Sequence, residues 1–292
     1  MRYYDYIIAD TRIRCNRDLV AIGLNGFKPF FTESHSATST ATIIIDKNNT
    51  LSVEGQEIST SYLTEANSDC RFIRTPHGYS YIVVRRDIPQ YKATFNIDTV
   101  NNLITCNIAL QDNIDLSIFR FGIWVMFGIV IAPLRGIAIH SSAIAYNDFC
   151  ALFLGESGTG KSTHTRLWRE NIAGAHLLND ASPILRVIDG KLYAYGSPWS
   201  GKTPCYINRR LPIAGLVRLS QAPYNEIKRI NTLMAIGALL PSCPHIFSDD
   251  DTLQDELCIT LGEIITLAPV YTLACLPDRA AAELSCATLF ES

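Results

Sequence analysis

With 292 residues, 48 % of them hydrophobic and 18 % charged, the chain can bury one large core or two modest ones, which excludes wholesale disorder. Its net charge of -3 argues against a nucleic-acid binder, which would carry a basic excess to neutralise phosphates. Nine cysteines, an odd number with no Cys-x-x-Cys pair, read as reduced and mostly buried thiols rather than a disulfide frame or a zinc site.

No apolar leader is visible at the N-terminus, so a cytoplasmic location without a membrane partner is expected. Up to about residue 112 the pattern is one of strands and turns. Residues 41–46 read as a strand, Asn48-Asn49 as a turn and residues 51–53 as the returning strand. Residues 79–86, 92–98 and 103–106 are further strands, the last two parted by Asn101-Asn102. His35 and His77 stand singly in polar surroundings and read as surface or turn residues.

Leu116, Phe119, Trp124, Phe127 and Ile131 recur at helical spacing, so residues 115–133 read as a buried helix bridging two parts of the chain. The apolar run 121–134 is shorter than the roughly 20 residues a membrane span needs. Two domains are expected: a β-rich domain over 1–114 and a nucleotide domain over 115–292. In the second, short strands fall at 136–140, 142–145 and 151–154, a helix at 161–170 and a strand at 175–179 ending on Asp180. Strands at 191–195 and 213–219 follow, then helices near 231–240, 252–265 and 279–290.

The chemistry is concentrated in Gly155, Glu156, Ser157, Gly158, Thr159, Gly160, Lys161 and Ser162, a G-x-x-x-x-G-K-[ST] phosphate loop or Walker A motif, with Thr163 directly after it. Triphosphate oxygens need several backbone N–H groups aimed at them, and glycines leave room for that approach. A helix opening at Lys161 turns its positive end to the phosphates, Lys161 holds the β/γ phosphates, and the Ser162 hydroxyl ligates Mg²⁺. The pattern arises by chance in roughly one chain of this length in a hundred at ordinary glycine usage, but an apolar strand before it and a helix after it are the setting it requires.

A second match, Gly196 to Thr203, fails on context. Pro204 follows at once and Pro212 comes soon after, leaving little room for a helix. Its Ser197, Trp199, Ser200, Gly201, Lys202 and Thr203, with Arg209 and Arg210 beyond, are instead candidates for binding an acceptor or a γ-phosphate; a plain turn and a solvated arginine pair are the simpler alternatives. Asp180, at a strand end, is the candidate Mg²⁺ carboxylate, with a helix N-cap as its alternative. His164 is a candidate for facing adenine or solvent, while Trp168 and Tyr195 read as core.

His140, the loop and the strand ending in Asp180 occur in an order and spacing that resembles HPr kinase/phosphorylase, and the nucleotide core is similar to ATP-dependent phosphoenolpyruvate carboxykinase. The runs His140-Ser141-Ser142, 155–168, 177–183 and 195–206 look like bacterial HPr-kinase-like proteins of unassigned substrate. The resemblance covers about residues 136 to 220. It implies an α/β fold with a mixed P-loop sheet and helices, preceded by a small, mostly β N-terminal domain. It implies a cytoplasmic kinase that uses ATP and Mg²⁺ to phosphorylate a hydroxyl, a serine or threonine of a protein or peptide or a small alcohol. Homo-oligomers are common in that family, and a homo-oligomer is possible here on that ground alone, since nothing in the sequence itself shows one.

By the same resemblance His140 lies beside the γ-phosphate and assists proton transfer or binds phosphate, and Asp180 is a metal ligand. The following position, where the family has the aspartate that takes the acceptor's proton, is Ala181. Two explanations stand: a chain that binds nucleotide without kinase chemistry, or an engineered change that freezes a complex, favoured because the rest of the site is present. A carboxykinase-like enzyme is the weaker alternative, since those chains are much longer and their lysine/histidine metal site has no counterpart here. A non-catalytic nucleotide-binding scaffold is the third reading.

Overall fold

The computed structural model describes residues 3–19, 25–34, 39, 41–48, 51–109, 112–201 and 203–290, and it divides into two compact units. The first comprises Met1–Leu134 and Ile246–Leu253. Its strands are β1 (Tyr3–Ile8), β2 (Thr11–Asn16), β3 (Phe31–Thr32), β4 (Ala41–Lys47), β5 (Gln56–Leu63), β6 (Ser68–Thr75), β7 (Gly78–Arg85), β8 (Lys92–Asp98) and β9 (Leu103–Asn107). They form one sheet in the order β3-β1-β2-β4-β9-β8-β7-β6-β5. The β5–β9 run is an antiparallel meander, whereas β4 lies parallel to both β2 and β9. His77 sits exposed in the turn between β6 and β7. Residues 51–53 carry no strand; the pairing chain enters at β5 instead, and Asn49 and His35 lie outside the described residues.

Helix α1 (Asn113–Ile131) opens where the Asp112 carboxylate accepts the Asp115 N–H at 2.8 Å, an ordinary N-cap. By length and composition the segment Asn113–Leu134 could cross a membrane, but its most apolar 18-residue stretch is 67 % buried inside the protein. It packs on β8, and the buried Arg85 of β7 ties its first turn to the sheet by donating to Asp112 at 2.7 Å and Asp115 at 2.8 Å. Because this helix covers the first sheet, the units part after Leu134 rather than at the expected 114/115 boundary.

The second unit comprises Arg135–His245 and Gln254–Ser292. Its elements are β10 (Gly136–Ala138), β11 (Ser141–Tyr146), β12 (Phe149–Leu154), α2 (Lys161–Asn171), β13 (His176–Ala181), β14 (Ile184–Ile188), β15 (Lys191–Tyr195), β16 (Arg210–Gln221), β17 (Glu226–Arg229), α3 (Thr232–Leu239), α4 (Asp251–Leu267, its first turn in the first unit's returning segment), β18 (Val270–Cys275) and α5 (Arg279–Phe290). The sheet is mixed, in the order β10-β14-β15-β16-β12-β11-β13, with β18 on the C-terminal half of β16 and β17 beyond it. One row of this sheet positions the site. Ala181 pairs Ser141, Ser141 pairs Leu154, Leu154 pairs Arg218, and Arg218 pairs Thr272. The residues just past that row on β12, just before it on β11 and around it on β13 therefore meet at one edge. Against the sheet, α2 and α5 enclose a core that includes Phe153, Trp168, Leu177, Val217, Leu219, Leu273 and Ala282.

The architecture is mixed α/β, as the sequence implies. All nine cysteines are free thiols, and seven are buried. On the first unit, Gly122 of α1 faces the buried Phe95 ring, and a Cβ there would lie 2.4 Å from it. Gly122→Ala is expected to destabilise the fold by about 1–3 kcal/mol through overpacking, read from the midpoint of chemical denaturation; an unchanged midpoint would contradict the packing described.

Candidate functional site

The loop at 155–160 leaves the end of β12 and enters α2. Gly155, Gly158 and Gly160 all take positive φ, 151°, 86° and 103°. A Cβ on Gly155 would lie 2.5 Å from the Thr159 hydroxyl, so that turn requires glycine. The Thr159 hydroxyl and N–H both bond the Glu156 carbonyl, at 2.8 and 3.2 Å, closing the loop on itself. Ser157 is exposed at its tip and Thr163 is half-buried on the first turn of α2.

Lys161 is buried and folded over the loop, its Nζ donating to the carbonyls of Gly155 at 2.7 Å and Glu156 at 3.1 Å. Burial lowers its pKa, the neighbouring Arg218 lowers it further, and Asp180 opposes both. The Ser162 hydroxyl, exposed, donates to the buried Asp180 Oδ1 at 3.1 Å. Two groups eighteen positions apart in the chain thus form one donor set. A hydroxyl beside one carboxylate, next to a glycine-rich loop, could hold Mg²⁺, an ion that is commonly bound by one or two carboxylates, with phosphate oxygens and water filling the rest. Among the described residues no cluster of three or more His, Cys, Asp or Glu side chains is present to cage a metal without such help.

His140 lies directly before β11, its N–H donating to the Ser242 carbonyl at 2.7 Å. The side chain keeps a solvent-exposed edge, while its inner side bonds the backbone of Ala181. Desolvation of that inner side lowers its pKa and the Lys161 ammonium adds to the effect, both favouring the neutral imidazole, while the Ala181 backbone bond and Asp180 oppose them. Ala181 has φ 139°, a backbone region that side chains rarely adopt. Its strand end bridges Ser200, and Gly201 N–H bonds the Asp180 carbonyl.

The second glycine-rich loop is therefore a brace for the strand carrying Asp180. Ser197 is fully buried; its hydroxyl donates to the Ser182 carbonyl at 2.6 Å, and Asn179 Nδ2 donates to its carbonyl at 3.2 Å. Trp199 is buried too, its carbonyl accepting from Asn179 at 3.3 Å. Ser200 is held by the Thr203 carbonyl at 2.6 Å, Gly201 is exposed beside Ala181, and Lys202 lies outside the described residues. Ser197 and Trp199 thus hold the loop rather than present themselves to a substrate. Arg209 and Arg210 do not join the site. Arg209 pairs with Asp148 at 2.8 Å and reaches His176, and Arg210 lies over the Tyr193 ring at 4.8 Å. The reason is register: β16 starts there, opposite the beginning of β12, and arrives beside the loop only at Arg218.

Two features lie beyond the motifs of the sequence. Arg218, whose signal is a charge inside the apolar run 216–219, sits beside the loop with Nη1 donating to the Ala238 carbonyl at 3.1 Å. A cleft of about 520 Å³ opens next to Gly158–Gly160, between Thr163 and Leu167 of α2 and Leu219, Gln221, Leu276 and Pro277 of the sheet edge. Its size and largely apolar walls suit a nucleoside, and no local motif announces it because its walls come from three distant segments.

His164 is buried and is also among the residues that line this cleft. Its Nε2 lies 3.1 Å from the Ser285 hydroxyl and receives the Trp168 indole N–H at 3.3 Å, with the Phe153 ring edge-on at 4.5 Å. Burial pushes its pKa down to about 4 from 6.5. As pH falls, the unfolded chain takes up this proton first, so stability is full above about pH 6.5 and declines toward pH 4, by on the order of 3 kcal/mol. His164→Gln is expected to flatten that decline, measured by urea denaturation at several pH values; an identical slope would contradict the burial of a neutral imidazole.

No family model matches the chain, and no curated protein matches it. A solved structure of the Hpr(Ser) kinase/phosphatase from Coxiella burnetii is similar to it at 12 % identity and a TM-score of 0.31, over 53 % of this chain and 93 % of that one. A likeness that distant carries no weight of its own.

Proposed function

We propose that this chain binds Mg-ATP at residues 155–162 and is built as an HPr-kinase-like phosphotransferase whose acceptor is a hydroxyl. The observation that carries the reading is the contact between Ser162 and Asp180 beneath a glycine loop, with Lys161 folded onto that loop's carbonyls. The Lys161 ammonium donates to the carbonyls of Gly155 and Glu156. On nucleotide binding it would turn to the β/γ oxygens, and the N–H groups of the loop and of the first turn of α2 would face the phosphates. The base would lie in the cleft walled by Leu167, Leu219 and Pro277.

Ser162 and Asp180 would hold Mg²⁺, which when bound neutralises charge on the phosphate oxygens. His140, partly solvent-facing and within electrostatic reach of Lys161 and Asp180, would accept a proton from the acceptor hydroxyl or bind phosphate. Ala181 offers no such group. That single position favours a second reading, a chain that holds ATP without turning it over, and the two readings share the nucleotide site.

Lys161→Ala is expected to weaken Mg-ATP binding roughly 10- to 100-fold, the worth of charged hydrogen bonds to phosphate, measured by calorimetry; equal affinities would remove the loop from the site. Ala181→Asp is expected to raise phosphoryl transfer by about 10²–10⁴, the range for a positioned base, with little change in ATP affinity. Transfer is followed with γ-labelled ATP and a lysate as acceptor. Equal rates in the two forms would sink the base assignment at position 181.

A further inference from the structure

Arg218 is a second cation beside the loop, with no task in the phosphotransfer proposed for Lys161, Ser162, Asp180 and His140. It stands on β16 in register with Leu154, the last residue before the loop, on the side opposite the strand that carries Asp180. One arm of its guanidinium is fixed: Nη1 donates to the Ala238 carbonyl at the end of α3, 3.1 Å away. The other arm, Nη2, lies 3.5 Å from Oε1 of Glu156, a loop residue. The Arg218 side chain is 21 % exposed, whereas that of Glu156 is 78 % exposed. An ion pair with one partner in water at that distance contributes little, so the carboxylate is readily displaced. Lys161 and Arg218 face Asp180 and the exposed Glu156, so once Glu156 turns away two cations and one buried carboxylate leave a positive charge that an anion would meet.

Resting on the nucleotide reading, we infer that Arg218 is a built-in cation for the terminal phosphate of the triphosphate, and that Glu156 occupies it when no phosphate is bound. Nη2 donates to a terminal phosphate oxygen, Glu156 turns out to solvent, and the Ala238 carbonyl keeps the guanidinium aimed throughout. An arginine supplied by the same chain is an established way to meet charge on a transferring phosphoryl group. Guanidinium suits it better than ammonium because its fork can hold a carbonyl and a phosphate at once.

The distinguishing measurement is nucleotide preference in the full chain, by calorimetry with Mg²⁺ and either a non-hydrolysable ATP analogue or ADP. Arg218→Gln is expected to lower affinity for the analogue about tenfold, the worth of a charged hydrogen bond, while ADP affinity stays within about twofold. Arg218→Lys, which keeps the charge, is expected to fall between. Glu156→Gln is expected to strengthen analogue binding with ADP unchanged, and to do nothing when Arg218 is already Gln. If Arg218→Gln weakens both nucleotides alike, Arg218 serves only to hold α3; if it weakens neither, it does not reach the phosphates. Either result, with the wild type binding both nucleotides, overturns the inference alone. Failure of the wild type to bind either overturns the nucleotide reading and the inference with it.

Discussion

The hydroxyl of Ser162 and the carboxylate of Asp180 meet at 3.1 Å only because β11 lies between the strands that carry them and is in register with both. Ser141 is paired on one side with Leu154, the last residue of β12, and on the other with Ala181, the last residue of β13. That shared register brings the start of the phosphate loop, the end of the carboxylate strand and His140 to one edge. Extending the row through Leu154 to Arg218 adds a fourth group by the same rule. A one-residue slip would turn every side chain of a strand to the other face and disperse the site.

Legibility in the sequence tracks how local each signal is. The turn at 155–160 was legible because its glycines answer a local demand, positive φ at Gly155, Gly158 and Gly160. The helix at Asn113–Ile131 was legible from apolar spacing, although its near-uniform burial erased the polar face that would have marked which unit it covers. Strands β5 and β6 were missed because polar residues such as Glu57, Ser59 and Arg71 stand in them, and pairing rather than apolar alternation makes them strands. Arg209 and Arg210 were grouped with the second glycine loop by proximity in sequence, which the direction of β16 overrides. Arg218 and the nucleoside-sized cleft depend on long-range pairing and have no local signature.

Ala181 carries two departures at once. It lacks the carboxylate that the resemblance leads one to expect there, and its φ of 139° suits glycine better than any residue with a side chain. The second glycine loop supplies the restraint that holds it: Ser200 bridges Ala181, Gly201 bonds the Asp180 carbonyl, and Asn179 is bonded to Ser197 and Trp199. This bracing explains why a loop with the spacing of a phosphate motif has no helix behind it. The Ser197 and Ser200 hydroxyls and the Gly201 N–H bond the backbone of residues 180–182, which fixes the backbone from which Asp180 projects.

A nucleotide seated in the loop, with its metal between Ser162 and Asp180, is the state on which every proposed role depends. Crystals grown with Mn²⁺ in place of Mg²⁺ and a non-hydrolysable ATP analogue test it directly through the anomalous signal of the metal. The expected result is an anomalous peak within coordination distance of the Ser162 hydroxyl and the Asp180 carboxylate, with phosphates wrapped by residues 155–160. A nucleotide bound elsewhere, or a loop left empty at saturating analogue, would contradict it.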